Sequence, residues 1–214
     1  MHFLLRRSAM NEPRDPMPSL GRMMAFIDGE NLVARYQAMI KDGRKPYDHV
    51  KHRRDVYAWL PGAIWPGLHV ILRATYYTYC IGDKIAVDSV AEELRALEFQ
   101  QYYVPGQSAP SRLVRTLTPQ VFWKPKDRTG KGVDIQMTVD ILTNVYQNNL
   151  DTVFLLSGDG DYRPVLSECK RMGKQVFISA LSSGLSPALR LSADYFMDLD
   201  GQFFEPPDSP PSAP

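Results

Sequence analysis

Four aspartates stand beside apolar segments that have the composition of buried strands. Asp28, Asp159 and Asp161 follow such segments, and Asp134 opens a helical pattern between them. In open parallel sheets, ligands bind in the crevice at the carboxyl ends of the strands. Side chains that follow different strands share this edge of the sheet, so the spacing predicts that the four carboxylates converge.

Converging carboxylates repel one another, and a hard divalent cation with oxygen ligands relieves that repulsion. The residue types therefore predict a site for Mg²⁺ or Mn²⁺. Such an ion polarises a phosphate, lowers the pKa of bound water and stabilises a leaving oxygen, which phosphodiester hydrolysis requires. By themselves, composition and spacing predict the metal-binding cleft and leave its use open.

Other common chemistries lack their signatures in this chain. No GxSxG motif or P-loop occurs, and the GxG at 158–160 is not followed by the third glycine of a dinucleotide site. Cys80 and Cys169 are isolated, which argues against a disulfide framework and a structural zinc site. Metal-ligand spacing is also absent among the four histidines, which are His2, His49, His52 and His69.

Apolar segments with strand character alternate with segments of helical periodicity along most of the chain. This alternation predicts an α/β fold with a central, mainly parallel sheet flanked by helices. The clearest helices are predicted at 83–100, 133–146 and 187–191. The strands are predicted at 23–27, 68–77, 101–104, 152–156, 175–179 and 195–199.

The chain of 214 residues is long enough for one domain with a well-filled core. We expect a flexible leader at 1–21, the folded domain at 22–203, and a disordered proline-rich tail at 204–214. The apolar run near the amino end precedes arginines, the reverse of a signal peptide, and no segment has the roughly 20 apolar residues of a membrane helix. A cytoplasmic protein without membrane contact is expected, and the oligomeric state is left open.

A basic segment lies within residues 105–131, which are predicted to form a hairpin or an extended arm of the domain. Phe122 and Trp123 adjoin its basic side chains, so phosphate-neutralising charges stand beside rings that can stack on bases. A solvated surface is the simpler interpretation of such a segment, and RNA binding is the favoured one. The side chains assigned to RNA binding are Lys124, Lys126, Arg128 and Lys131.

Three motifs together resemble the NYN family of PIN-like domains, notably its LabA-like branch. They are FIDGEN at 26–31, KGVD at 131–134 and SGDGDY at 157–162, and the similarity covers roughly residues 22–200. The resemblance implies a Rossmann-like sheet and metal-dependent ribonuclease activity. In the matching positions, Asp28, Asp134, Asp159 and Asp161 are the implied catalytic and metal-binding residues, with Asn31 and Ser157 as substrate contacts.

Simpler interpretations exist for several of these acids. Asp28 stands where an N-cap is favoured, and the SGDGD segment has the composition of a turn followed by a cap. Asp140 is predicted to be structural because its spacing turns it away from Asp134, and Asp194 is predicted to accept a hydrogen bond from the backbone.

The favoured function is a metal-dependent endoribonuclease that acts on single-stranded or loop RNA. The alternative is a non-catalytic RNA-binding or regulatory module of the same fold. A nucleotide-binding Rossmann enzyme is a third, weaker hypothesis.

Overall fold

The computed structural model describes residues 21–67, 69–101, 113–123 and 132–206. The predicted leader lies outside these residues except for Gly21, and residues 207–214 of the predicted tail also lie outside them. Phe204, the first residue of that tail, is fully buried, so the packed structure continues past residue 203. Four predicted RNA contacts lie outside the described residues as well, namely Lys124, Lys126, Arg128 and Lys131.

The strands of the described chain are β1 (Arg22–Asp28), β2 (Lys51–Arg53), β3 (Tyr57–Trp59), β4 (Val70–Cys80), β5 (Glu98–Gln101), β6 (Leu113–Thr116), β7 (Thr118–Trp123), β8 (Thr152–Leu156), β9 (Gln175–Ala180) and β10 (Tyr195–Asp198). The helices are α1 (Gly29–Lys41), α2 (Lys84–Arg95), α3 (Gly132–Tyr146), α4 (Arg163–Arg171), α5 (Pro187–Leu191) and α6 (Asp200–Phe203). A 3-10 turn, Gly160–Tyr162, lies between β8 and α4. Within the described ranges, no helix has the length and apolar character needed to cross a membrane.

Six strands form a parallel sheet in the order β10-β9-β8-β1-β4-β7. Two smaller antiparallel pairs, β2-β3 and β5-β6, lie outside it. The architecture confirms the predicted α/β class and the mainly parallel central sheet.

Helices cover both faces of the sheet. Alternate residues of a strand point to opposite faces, and in β1 both sets are apolar. In β1, Met23, Ala25 and Ile27 pack into a core that includes α1 and α2. Met24 and Phe26 pack into a second core that includes α3, α4 and α5. Burial on both faces explains why β1 is a continuous apolar run rather than an alternating one.

Between β1 and β8 the order of the strands reverses. The chain adds β4 and β7 on one side of β1, and then adds β8, β9 and β10 on the other side. Such a reversal opens a crevice at the carboxyl ends of the two neighbouring strands. Asp28 ends β1 and Ser157 directly follows β8, so both residues border this crevice.

The boundary between α2 and β5 differs from the prediction. The helix predicted at 83–100 ends at Arg95, and the strand predicted at 101–104 begins earlier, at Glu98. Phe99 and Gln101 are buried, whereas Glu98 is exposed. This alternation is typical of a strand, and β5 completes its hydrogen bonds with β6.

The predicted hairpin or arm at 105–131 is wrong for residues 113–123, which the structure describes. These residues belong to two sheets: β6 pairs with β5, and β7 pairs in parallel with β4 as the edge strand of the central sheet. Leu117, between β6 and β7, is buried and anchors this segment to the core. An edge position also tolerates Pro119, which cannot donate a backbone hydrogen bond.

Candidate active site

Asp28 connects the ends of β1 and β8. Its Oδ1 accepts a hydrogen bond from the backbone N–H of Asn31 at 2.9 Å, which makes it the N-cap of α1. Its Oδ2 accepts a hydrogen bond from the Ser157 hydroxyl at 2.9 Å. The residue is only 3% exposed. Asp28 is therefore an N-cap, as the simpler interpretation proposed, and it is also tied to the loop after β8.

The segment after β8 folds back on Asp28 through its own polar atoms. Ser157 Oγ accepts a hydrogen bond from the backbone N–H of Asp159 at 3.1 Å. Asp159 in turn caps the 3-10 turn, because its Oδ1 accepts from the N–H of Asp161 at 2.9 Å. Ser157 thus links the Asp28 carboxylate to the turn that carries Asp159.

Two other residues of the FIDGEN segment set the position of α1. A Cβ at Gly29 would lie 2.1 Å from a ring atom of Tyr76 and 2.6 Å from the backbone oxygen of Tyr77, so only glycine allows this close approach. The Asn31 side-chain oxygen accepts from the backbone N–H of Gly158 at 3.1 Å. The helix after β1 and the loop after β8 are therefore joined directly.

Two tyrosines of β4 position α3. The Tyr79 hydroxyl accepts hydrogen bonds from the first two backbone N–H groups of α3, at 2.9 and 3.1 Å, and such groups have no partner within the helix. The Tyr77 hydroxyl donates to Asp140 of the same helix at 2.8 Å. Both tyrosines project from one face of β4. Tyr79 thus fixes the first turn of α3, which carries Asp134, and Tyr77 holds the middle of the same helix.

Tyr162 lies among the carboxylates of the crevice. It is 2% exposed, and its hydroxyl donates to Asp134 Oδ1 at 3.0 Å. Burial raises the pKa of the Tyr162 hydroxyl, and the negative charges of Asp28, Asp134 and Asp159 raise it further. The hydroxyl therefore keeps its proton and acts as a donor to Asp134.

The electrostatic state of Asp28 is unusual for an aspartate. Its pKa is raised to about 7, chiefly by burial, and the charges of Asp134 and Asp159 act in the same direction. The hydrogen bonds from Asn31 and Ser157 oppose this rise. Burial and like charges both disfavour the ionised carboxylate, so ionised Asp28 is held in the folded protein at a cost in free energy.

Asp161 has different surroundings. Its side chain is exposed and borders a surface pocket of about 370 Å³ at the start of α4, together with Arg163 and Ser167. The structure therefore brings Asp28, Asp134 and Asp159 together, and it directs Asp161 towards the protein surface. Asn31 and Ser157 lie inside the same network as contacts of the acid-bearing loops.

Asp140 and Asp194 have the structural roles that the sequence predicts. Asp140 accepts hydrogen bonds from Tyr77 and Gln136, each at 2.8 Å. Asp194 Oδ2 accepts from the backbone N–H of Val176 at 2.8 Å. The predicted hydrogen bond from Asp194 to the backbone is thus confirmed.

The donor chemistry of the crevice fits a hard divalent cation, although the side chains are not gathered around one point. In the described part of the chain, no group of three or more His, Cys, Asp or Glu side chains is arranged to hold a metal ion. Asp28, Asp134 and Asp159 nevertheless offer only oxygen atoms, and their mutual repulsion appears in the raised pKa of Asp28. Asp134 is exposed and Asp159 is half-buried, so both have room to reorient.

Sequence reasoning missed three residues of this region. No site role was predicted for Tyr79 or Tyr162, yet their hydroxyls position α3 and Asp134. Arg35, four residues after Asn31 on α1, packs its guanidinium against Gly184, and its buried Nε has no hydrogen-bond partner among the residues that the structure describes. The SGDGDY motif ends in Tyr162 and could have indicated it, whereas no sequence signal indicated Arg35.

Comparisons with known proteins agree with this architecture. A crystal structure of a protein of unknown function from Vibrio parahaemolyticus matches with a TM-score of 0.54 at 16% identity, over 89% of this chain and 99% of that chain. That match concerns the fold alone.

An uncharacterized protein of Methanocaldococcus jannaschii is 33% identical over 98 residues, which are 46% of this chain and 40% of that protein. The chain therefore spans less than half the length of this curated relative. The family model for the NYN domain matches residues 22–200, a span that contains all three motifs and every acid of the crevice. The chain thus belongs to the NYN domain family, within the PIN-like nuclease superfamily.

Proposed function

We propose that the protein is a metal-dependent endoribonuclease whose site is the acid cluster formed by Asp28, Asp134 and Asp159. One observation carries the proposal. The buried carboxylate of Asp28 has its pKa raised to about 7, and the nearby charges that contribute to the rise belong to two further aspartates. A fold gains no stability from such an arrangement, which is typical of functional sites.

In this proposal, Asp28, Asp134 and Asp159 hold Mg²⁺ or Mn²⁺. When bound, such an ion supplies polarisation of the phosphate and a lowered pKa of bound water. The protein contributes the positions of the oxygen atoms. Ser157 and Asn31 fix Asp28 and the loop of Asp159, while Tyr162 orients Asp134.

Asp161 remains in the proposed ligand set because it matches the acid of the family motif. Its backbone N–H is fixed by Asp159, but its exposed carboxylate must turn from the surface pocket towards the crevice. We therefore expect Asp161 to contribute less to metal binding than Asp28.

Single-stranded or loop RNA is the proposed substrate, since a strand can enter a crevice at a sheet edge more easily than a duplex can. Arg35 supplies positive charge beside Gly184, which belongs to the loop that packs on Gly158. The basic residues Lys124, Lys126, Arg128 and Lys131 are proposed to neutralise the RNA backbone further along the strand. The LabA-like branch of the family belongs to the same proposal.

A second candidate is a non-catalytic RNA-binding module of the same fold. It is favoured by the open arrangement of the carboxylates, of which no three are placed around a common ion position in the described residues. Such a module would bind RNA in a salt-sensitive way and would not require a divalent cation.

The test is cleavage of a fluorescent single-stranded RNA in Mn²⁺ by the wild-type protein and by Asp28→Asn and Asp159→Asn variants. We expect each variant to lose activity by at least about 100-fold, the scale seen when one group that stabilises transition-state charge is removed. Asp83→Asn is the matched control, because Asp83 is also an aspartate N-cap, that of α2, and lies outside the cluster. It should stay within about 2-fold of wild type, since Asn is an equally favoured cap.

Full activity in Asp28→Asn would exclude the proposed site. Salt-sensitive RNA binding by the wild-type protein without any cleavage would instead support the binding module.

A further inference from the structure

A cavity of about 390 Å³ opens beside α1, the helix that Asp28 caps, and the proposed chemistry leaves it unused. It lies between α1, the carboxyl end of β4 and the turn that joins β2 to β3. We call it the α1 cavity. Its volume is within the range of pockets that enclose small organic ligands.

The wall formed by the β2-β3 turn is preorganised. Gln37 of α1 donates to the Asp55 carboxylate at 2.9 Å and accepts from the Asp55 backbone N–H at 3.2 Å. Asp55 is held with φ +57°, a left-handed conformation that is uncommon outside glycine. Thr78 of β4 donates to the backbone oxygen of Val56 at 2.8 Å, so the turn is fixed from two sides.

The α1 cavity lies near the acid cluster along α1. Glu30 in its wall stands two residues after Asp28 on the first turn of α1. Tyr79 borders the cavity at the carboxyl end of β4, and its side chain projects from the other face of that strand to hold the first turn of α3. If a polymeric ligand is bound at the cluster, the unit next to the bound one can therefore reach this cavity.

The walls match a nucleoside better than a bare phosphate. Val33, Ala34 and Ile81 supply apolar surface, and the Gln37 amide and the Thr78 hydroxyl supply polar groups. The two lining arginines are balanced by two lining acids and are themselves in ion pairs with carboxylates: Arg53 with Glu93 and Arg54 with Asp55. A site with balanced charge does not select for an anion, whereas mixed apolar and hydrogen-bonding walls suit a base and its ribose.

We propose that the α1 cavity receives one nucleoside of the RNA strand whose phosphate lies at the acid cluster. Arg54, whose side chain is 87% exposed at the cavity margin, then faces the strand as it leaves. This inference rests on the proposed function, because it assumes that a nucleic acid strand crosses the cluster. It adds to that function a binding site for the nucleoside next to the cleaved bond.

The test fills the cavity. Ala34 is exposed on α1, so Ala34→Phe projects a ring into the cavity without disturbing the core. The matched control is Ala96→Phe, since Ala96 is also exposed, at the end of α2, and lies outside the cavity. A second variant, Ile81→Ala, removes apolar wall at a residue that is 57% exposed.

The probe is a fluorescein-labelled single-stranded RNA of about 12 nucleotides, a length within the usual range of single-strand sites. Fluorescence anisotropy in Ca²⁺, a hard cation that can occupy oxygen-ligand sites, measures its Kd, and circular dichroism verifies that each variant is folded. We expect Ala34→Phe to raise the Kd by about 5- to 10-fold, the loss of one modest base contact. Ile81→Ala should raise it less, and Ala96→Phe should leave it unchanged.

An unchanged Kd in folded Ala34→Phe and Ile81→Ala would overturn the proposal, as would failure of the wild-type protein to bind the RNA. Free nucleoside 5′-monophosphates test whether the cavity binds a nucleoside of RNA or a free nucleotide. If they stabilise the wild-type protein but not Ala34→Phe while RNA affinity is unchanged, the cavity is a site for free nucleotides and the proposal is wrong.

The same assay separates this proposal from the proposed function. Cleavage by the wild-type protein with an unchanged Kd in both cavity variants would overturn only the cavity proposal. Weakened RNA binding in Ala34→Phe without any wild-type cleavage would overturn only the proposed nuclease activity.

Discussion

An aspartate lies at each end of the neighbouring strands β1 and β8, and the pKa values of the two are shifted in opposite directions. At the amino end, Arg22 donates from its backbone N–H and its guanidinium to Asp151, at distances of 2.8 to 3.0 Å. At the carboxyl end, Asp28 accepts from the Ser157 hydroxyl and lies close to two other acids. The same two strands therefore carry a paired carboxylate at one end and a buried, repelled one at the other.

The pKa values show what this difference means. The side-chain hydrogen bond from Arg22 lowers the pKa of Asp151 to about 2. Burial raises the pKa of Asp28 to about 7, with further contributions from Asp134 and Asp159. Asp151 thus stabilises the fold when ionised, and ionised Asp28 destabilises it. The fold therefore places a stabilising carboxylate at the amino ends of these strands and a destabilising one at their carboxyl ends.

The largest expected effect is on the pH dependence of stability. The folded-state pKa of Asp28 lies above its ordinary value of 3.8, so its contribution to stability is full below that value and is lost as the pH rises through about 7. Asp28→Asn removes this loss of stability, because asparagine does not ionise. In EDTA, we expect the variant to exceed wild type in free energy of unfolding at pH 8 by up to about 4 kcal/mol. Urea unfolding from pH 4 to 8 measures the difference, which should shrink towards pH 4.

Asp151→Asn is the control from the other end of the strands. Asp151 has a lowered pKa, so its contribution to stability is present above pH 3.8 and is lost as the pH falls through about 2. The pair is roughly half exposed, so we expect the variant to lose less than about 1 kcal/mol at pH 8. A gain in stability for Asp151→Asn, or a loss for Asp28→Asn at pH 8, would break the comparison.

A smaller effect is expected at Tyr162, whose hydroxyl orients Asp134. Tyr162→Phe should reduce RNA cleavage by about 10-fold and raise the Mn²⁺ concentration needed for half-maximal rate, because one oriented hydrogen bond contributes on the order of 1 kcal/mol. Kinetics at varied Mn²⁺ measure both quantities. Tyr146→Phe is the matched control, because its hydroxyl donates to Glu168 at the protein surface. Equal Mn²⁺ dependence in both variants would show that Tyr162 has only a packing role.

The sequence predicts the carboxyl-edge site well where its residues are local to a strand end. Asp28 and Asn31 lie within one helical turn, and their hydrogen bond is a consequence of capping. Ser157 and Asp159 follow β8 in the same way. Parallel strands then bring the two segments together, which the alternation of strands and helices was sufficient to predict.

Other features of the site depend on distant packing and could not be predicted from spacing. Tyr162 reaches Asp134 across 28 residues, and Tyr79 reaches the start of α3 across 53. Asp161 is adjacent to the cluster in sequence but faces the surface, because the 3-10 turn rotates successive side chains to different sides. The segment at 113–123 became sheet rather than arm because open edges of β4 and β5 were available to pair with it.

The most direct test of the central claim is a Mn²⁺ titration followed by thermal unfolding at pH 8, with wild type, Asp28→Asn and Asp151→Asn compared. If Asp28 is the centre of a cation site, Mn²⁺ should stabilise the wild-type protein and Asp151→Asn by about 2 to 3 kcal/mol at 100 times the Kd. Asp28→Asn should gain nothing at the same concentration. An equal stabilisation of all three proteins would contradict the account, because the cation would then bind somewhere other than the acid cluster.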